Sequence, residues 1–256
     1  MHHSTIRRLA AVFIAAIIAL TSGCKTGAPV STALAAVHQS YREDFAGFQM
    51  PLNPGHAPAG DFSKTLKAIE DFKTKNPGSD KVNAHLTVLQ GMIHLQSGRY
   101  GQARAMRDDV AAAAAQLRQE GRHTRDELFA LAFDPLVRGW TDARGPRTNN
   151  NDMRRAGDEI ATLLRGFATG SDQDTDEGAL YLAATAAAFR TPYILNADPD
   201  DGKALAADSM QLIGRYLTPD ETAAARAENY AAIAPGHVRY ARWYRTMWDE
   251  AGRPAA

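Results

Sequence analysis

The chain has 256 residues, 45% of them hydrophobic and 23% charged, enough to bury a sizeable core in one or two domains. Lys and Arg number 29 and Asp and Glu 29, so no basic field invites a phosphate backbone and nucleic acid is an unfavoured partner. The single cysteine, Cys24, excludes an internal disulfide.

Arg7 and Arg8 precede an apolar run over residues 9–20, LAAVFIAAIIAL, followed by Thr21, Ser22, Gly23 and Cys24. The run is shorter than the roughly 20 apolar residues that a membrane span needs and suits the core of an export signal. The order resembles a bacterial lipoprotein signal with its lipobox at Leu20-Thr21-Ser22-Gly23-Cys24. It departs in that Thr21 stands where a large aliphatic is usual, with Leu20 one place earlier. The resemblance implies a signal peptide over residues 1–23, cleavage before Cys24, a diacylglycerol on its sulfur and an acylated amine. Lys25 after the cysteine implies the periplasmic face of the outer membrane. The other reading is an ordinary cleaved signal, or an N-terminal anchor, with an incidental cysteine. Loss of Arg7 and Arg8 with the signal would leave two more acids than bases.

Residues 24–60 form a tether and an entry segment. Ser31 can cap a helix over residues 31–48, with Leu34, Val37, Tyr41, Phe45 and Phe48 on one face. Residues 50–60, MPLNPGHAPAG, carry too much Pro and Gly for a regular element, and His56 within them reads as a solvated loop residue.

Residues 61–142 carry the most specific pattern. A helix over 62–76, with Leu66, Ile69 and Phe72, stops at Asn76-Pro77-Gly78. The next starts at Ser79 or Asp80 and buries Val82, Leu86, Leu89 and Ile93. Gly91 lies within it, Gly98 ends it, and Tyr100 and Ala103 open a long helix over 99–119. These four positions resemble the tetratricopeptide repeat, in which small residues at a helix crossing admit close approach and an aromatic wedges into the turn. Ala68, Phe72 and Pro77 look like the close of an earlier repeat. Arg107 and His94 depart from the pattern, since both stand where an aromatic is usual. The resemblance implies an all-α fold, antiparallel helical hairpins stacked as a solenoid, because a single pair cannot bury its apolar face. Any antiparallel hairpin with a glycine turn is the plainer alternative. Thr124 and Glu127 form a capping box for another helix, which Pro135 is expected to kink or divide.

Residues 143–256 open on a polar loop. Helices then recur over 152–168, 176–190, 202–216, 219–232 and 236–250. Thr218-Pro219-Asp220-Glu221 is a second capping box, and Ala183, Ala184, Ala187 and Ala188 suggest a close crossing. The recurrence fits diverged solenoid repeats and fits a compact bundle equally. The last helix carries Val238, Tyr240, Trp243, Tyr244, Met247 and Trp248 on a broad stripe, with Arg239, Arg242 and Arg245 on another side. It reads as a capping helix, or as an interaction surface of Arg239, Arg242, Arg245 and Trp243, since Trp, Tyr and Arg dominate interface hot spots.

Signals for catalysis or metal are sparse. Asp172, Asp174 and Asp176 alternate like the start of a calcium loop, but Glu177 fills the glycine position and Ala183 replaces the final acid. Asp198, Asp200 and Asp201 form a similar polar turn. His85 and His94 lie nine apart on one helix, about half a revolution apart, and cannot share a metal. No HExxH, GxSxG or phosphate-loop motif occurs. No catalytic residue, metal or cofactor is assigned. The residues point first to a membrane-anchored periplasmic adaptor that binds an envelope protein or peptide. A helical envelope enzyme or solute-capture protein with a closed pocket is the alternative, and a structural spacer the third.

Overall fold

The computed structural model describes residues 28–50, 58–118, 125–142, 150–167 and 177–252. Cys24 and the signal, His56, Thr124 and the aspartates at 172, 174 and 176 lie outside the described residues. The fold is all-helical, its helices packed against neighbours, and an antiparallel bridge between Gln49 and Ala59 is the one extended pairing among the described residues.

In chain order the helices are α1 (Ala28–Phe45), α2 (Ser63–Lys75), α3 (Asp80–Gln96), α4 (Tyr100–Ala105), α5 (Arg107–Arg118), α6 (Arg125–Asp142), α7 (Asn150–Phe167), α8 (Glu177–Ile194), α9 (Pro199–Gly214), α10 (Pro219–Arg226) and α11 (Val238–Gly252). A 3-10 turn, Tyr230–Ala232, precedes α11. Neighbours in sequence are neighbours in space. α1 packs on α2, α3 on α5 and α6, α6 on α7, α7 on α8, and α8 and α9 on α11. One apolar core runs through the whole stack.

Local chemistry explains where these helices begin and end. Asp44 at the end of α1 accepts bonds from the Thr65 amide (3.0 Å) and hydroxyl (2.7 Å), so α1 caps the first turn of α2. The Thr218–Glu221 capping box is present, with both reciprocal bonds made. After α3, Gly98 adopts φ 69°. The Gly98 amide donates to the Leu95 carbonyl (3.0 Å) and the Arg99 amide to that of His94 (2.8 Å), the paired bonds of a Schellman turn. Because an L side chain resists that backbone, Gly98→Ala should cost about 1 kcal/mol. A thermal melt unchanged from wild type would contradict it.

Several boundaries differ from the sequence expectation. The helix expected over 31–48 runs Ala28–Phe45, so Ser31 lies inside it and Phe48 beyond it. The single helix over 99–119 breaks at Met106, whose amide is shared at 3.2 Å between the Gln102 and Ala103 carbonyls. The helix expected over 219–232 ends at Arg226, because Glu228 takes φ 56° and the Asn229 amide turns back to the Ala224 carbonyl. Of the two outcomes expected at Pro135, division does not occur, since α6 continues through it.

Close crossings use glycine. A Cβ on Gly91 would meet the Phe133 ring of α6 at 2.8 Å and Val110 of α5 at 3.1 Å; one on Gly157 of α7 would meet the Ala186 carbonyl of α8 at 2.7 Å. Side chains this small let helices approach toward the short end of the roughly 8–10 Å interaxial range. Ala103, Ala183, Ala184, Ala187 and Ala188 are all buried.

Candidate functional site

Tyr41 lies at the turn of α1 where its ring stacks on Phe45 (5.5 Å) and on Phe62 at the start of α2 (5.8 Å). Its hydroxyl donates to Gln96 Oε1 at the end of α3, at 3.3 Å. Phe45 stacks on Phe48 (5.2 Å), and Phe48 meets Tyr181 of α8 edge-on (6.2 Å). Arg239, in the first turn of α11, closes the arrangement. Its Nη1 donates to the Phe48 carbonyl at 2.8 Å, and its guanidinium lies 5.2 Å over Phe45, 5.5 Å over Phe48 and 5.6 Å over Tyr240. Side chains from α1, α3, α8 and α11 thus converge on one aromatic centre.

Its polar atoms are poorly supplied with partners. The Tyr181 hydroxyl is directed toward Thr185 and the Trp140 indole N–H without completing a hydrogen bond, and the Tyr240 hydroxyl also lacks a partner. A buried polar group left in this way costs about 1–3 kcal/mol, comparable with the roughly 1.5–3 kcal/mol that burying one large apolar side chain contributes. Burial is the main cause that raises the phenols of Tyr41, Tyr181 and Tyr240 above their ordinary range, and the Glu177 carboxylate pushes Tyr41 and Tyr240 further up. These hydroxyls therefore stay protonated at neutral pH and offer hydrogen bonds, not proton transfer.

A second cluster joins α1, α3 and α6. His85 Nδ1 pairs with the Asp126 carboxylate, and His38 lies beside both and beside Arg42, with its Nε2 buried and unpartnered. Burial, chiefly, pulls His38 below the ordinary imidazole value of 6.5, against the attraction of Asp126. His94 is lowered for the same first reason, with Arg99 adding to it. A histidine that resists protonation only when folded leaves stability untouched above pH 6.5 and erodes it as pH falls below that value, because the unfolded chain then binds the extra proton. Urea unfolding should show stability falling on acidification through this window, and His38→Gln should flatten the slope. An unchanged slope in that variant would remove His38 from the account.

The residues singled out from sequence are placed as follows. Gly91 lies in a helix crossing, Ala103 is buried in α4, Gly98 is in the Schellman turn, and Tyr100 opens α4 close to Tyr181. Trp243 is 1% exposed and belongs to the core, so it cannot form part of a contact face. The three arginines do not form one free surface either. Arg239 faces inward to Phe48, and Arg245 is engaged with Asp249, Glu228 and the Arg226 carbonyl. Arg242 is exposed, over the Tyr230 ring at 5.4 Å. Sequence reasoning placed Tyr41 and Tyr240 on apolar faces but missed their meeting with Tyr181 and Gln96, which no local pattern signals.

Among the described residues no group of three or more His, Cys, Asp or Glu side chains is placed to hold a metal ion, and no helix is long and apolar enough to cross a membrane. Comparison with protein-family models, with curated proteins and with solved structures returns no match. The class that the coordinates define is an all-α protein of packed consecutive helices around an aromatic, hydroxyl-rich centre.

Proposed function

We propose that the chain is a lipid-anchored, tetratricopeptide-like binding protein of the bacterial envelope that docks a protein or peptide at the periplasmic face of the outer membrane. The observation that carries this reading is the packing of consecutive helices with glycine at their close crossings, the way repeat proteins build binding surfaces. The register of Gly91, Gly98, Tyr100 and Ala103 supports the repeat assignment, and Cys24 after a short apolar run supports the anchor. Several acyl chains would hold the chain firmly, at about 0.8 kcal/mol for each buried CH₂.

Cys24→Ala should move the protein from the membrane to the soluble fraction of the envelope. A variant that still sediments with membranes would end the anchor assignment. Pull-down with the tethered and Cys24→Ala forms should then retain an envelope protein or peptide. A second reading, capture of a small polar solute, is favoured by the buried Trp140, Tyr181 and Tyr240 groups that lack partners. Native mass spectrometry separates the two, since a co-purified small molecule supports only the second.

A further inference from the structure

Resting on the lipid-anchored reading, we propose that the end of the stack where α1 begins, together with the turn from α2 into α3, is a membrane-facing surface that meets anionic phospholipid headgroups. Three residues, Lys25, Thr26 and Gly27, separate Cys24 from the start of α1 at Ala28. At no more than about 3.6 Å per residue, a lipid on Cys24 keeps Ala28 within about 14 Å of its own attachment point. Which side of the body then meets the bilayer follows from how α1 and α2 pack. Lys64 of α2 pairs with Glu43 (3.8 Å), and the Thr65 hydroxyl donates to Asp44 (2.7 Å), so the end of α1 lies beside the start of α2. The two helices pack antiparallel, which brings Lys75 at the end of α2 back toward the start of α1. His38 of α1 beside His85 sets the matching level on α3, whose first residue is Asp80.

The chemistry of that end suits a negative surface. Residues 25–42 contain no carboxylate, and neither do residues 72–79, FKTKNPGS, which close α2 and turn into α3. Thr32, Ala35 and Ala36 are exposed on the first half of α1, and Lys75 is exposed at the end of α2. Lys25, Lys75 and Lys81 supply positive charge. Lys73 turns instead onto α3, where Thr87 (3.1 Å) and Gln90 (3.0 Å) accept from it. Against these stand Asp80 at the start of α3 and Asp126 at the start of α6, the latter paired with His85. A lysine close to an anionic leaflet strengthens the attraction about fivefold, but only within a screening length of about 8 Å. The short tether is therefore what lets so few charges act.

The test reads lysine reactivity on the lipidated protein reconstituted into vesicles of phosphatidylcholine and phosphatidylglycerol, using a membrane-impermeant acetylating reagent and mass spectrometry. Lys203 is the internal reference, since it lies on α9, which packs on α8 and α11. Relative to it, acetylation of Lys75 should fall at least about fivefold on these vesicles, compared with the soluble Cys24→Ala form. Lys64, about 16 Å away along the same helix, should stay reactive. Ala35→Glu/Ala36→Glu sets two carboxylates on exposed positions of α1 without loss of helix propensity, and should restore the reactivity of Lys75. The proposal is overturned by a Lys75 as reactive as Lys203, by equal shielding of Lys64 and Lys75, or by shielding that survives the double glutamate variant. Shielding as strong on phosphatidylcholine alone would also overturn it, because the tether and not the headgroup charge would then be responsible. Failure of the anchor reading shows separately, as wild-type chain absent from the membrane fraction, and would take this proposal with it. A reactive Lys75 on a membrane-bound chain removes only the surface.

Discussion

Replacing Asp158 and Asp208 together by asparagine should lower the unfolding free energy by about 3 kcal/mol, read from urea denaturation. Arg190 of α8 is the reason. Its side chain is 3% exposed, and it is held by Asp158 of α7 through Nη2 (2.7 Å) and Nε (2.9 Å). On α9, Asp208 (2.9 Å) and Ser209 (3.2 Å) take Nη1. Asparagine keeps an acceptor of the same shape and removes the charge, leaving a guanidinium buried without a counter-ion. The loss falls at the low end of the roughly 3–5 kcal/mol range for broken buried pairs, because the carboxylates are 35% and 38% exposed and partly screened. Arg190→Met should cost less than the double variant. It removes the buried charge, while Asp158 and Asp208 keep Arg154 and Arg165. A double variant within 1 kcal/mol of wild type would show that this network does not tie α7, α8 and α9 together.

Gly157→Val should be more damaging than Gly91→Val, at about 3 kcal/mol or more against about 1–3 kcal/mol. The distinction lies in what each new side chain would strike. At Gly157 the first obstacle is the Ala186 backbone carbonyl at 2.7 Å, then Arg190 Cγ at 3.0 Å, and a helix backbone cannot turn aside. At Gly91 it is the edge of the Phe133 ring at 2.8 Å, which can shift at the expense of its own packing. Gly101→Ala meets nothing within 4 Å and serves as the control. Thermal melts in the order Gly101→Ala, Gly91→Val, Gly157→Val, from most to least stable, are expected. Equal losses at Gly91 and Gly157 would mean that crossing distance does not govern this stack.

What could be read in the residue string was local. The Thr218–Glu221 box needs only four consecutive residues, and the turn after α3 needs only a glycine placed where the periodic pattern stops. Both are seen, with the bonds that these patterns imply. The same reasoning failed where backbone choice depends on context. Glu228 occupies a left-handed position that glycine usually fills, so nothing in the string marked the end of α10. Met106, itself a good helix former, is where the stretch breaks, with Ala105 before it and Arg107 after it no worse. The aromatic centre was illegible for a different reason. Tyr41, Gln96, Tyr181 and Arg239 meet only once four helices have packed, and each alone is indistinguishable from ordinary core or surface. Trp243 belongs to the inward stripe, as the capping-helix reading had it, and the contact-surface reading failed because residue type alone does not separate a buried aromatic from an exposed one.

The three tryptophans give the molecule a built-in optical readout. Trp140 and Trp243 are sealed from solvent, whereas Trp248 is 38% exposed, with the Arg245 guanidinium 4.9 Å from its ring. A collisional quencher such as acrylamide therefore reaches one emitter of three in the native state. With Trp248→Phe the remaining glow comes wholly from shielded indoles, and one of them, Trp140, borders Tyr181. Its colour and lifetime then report directly on whether that interior has become wet.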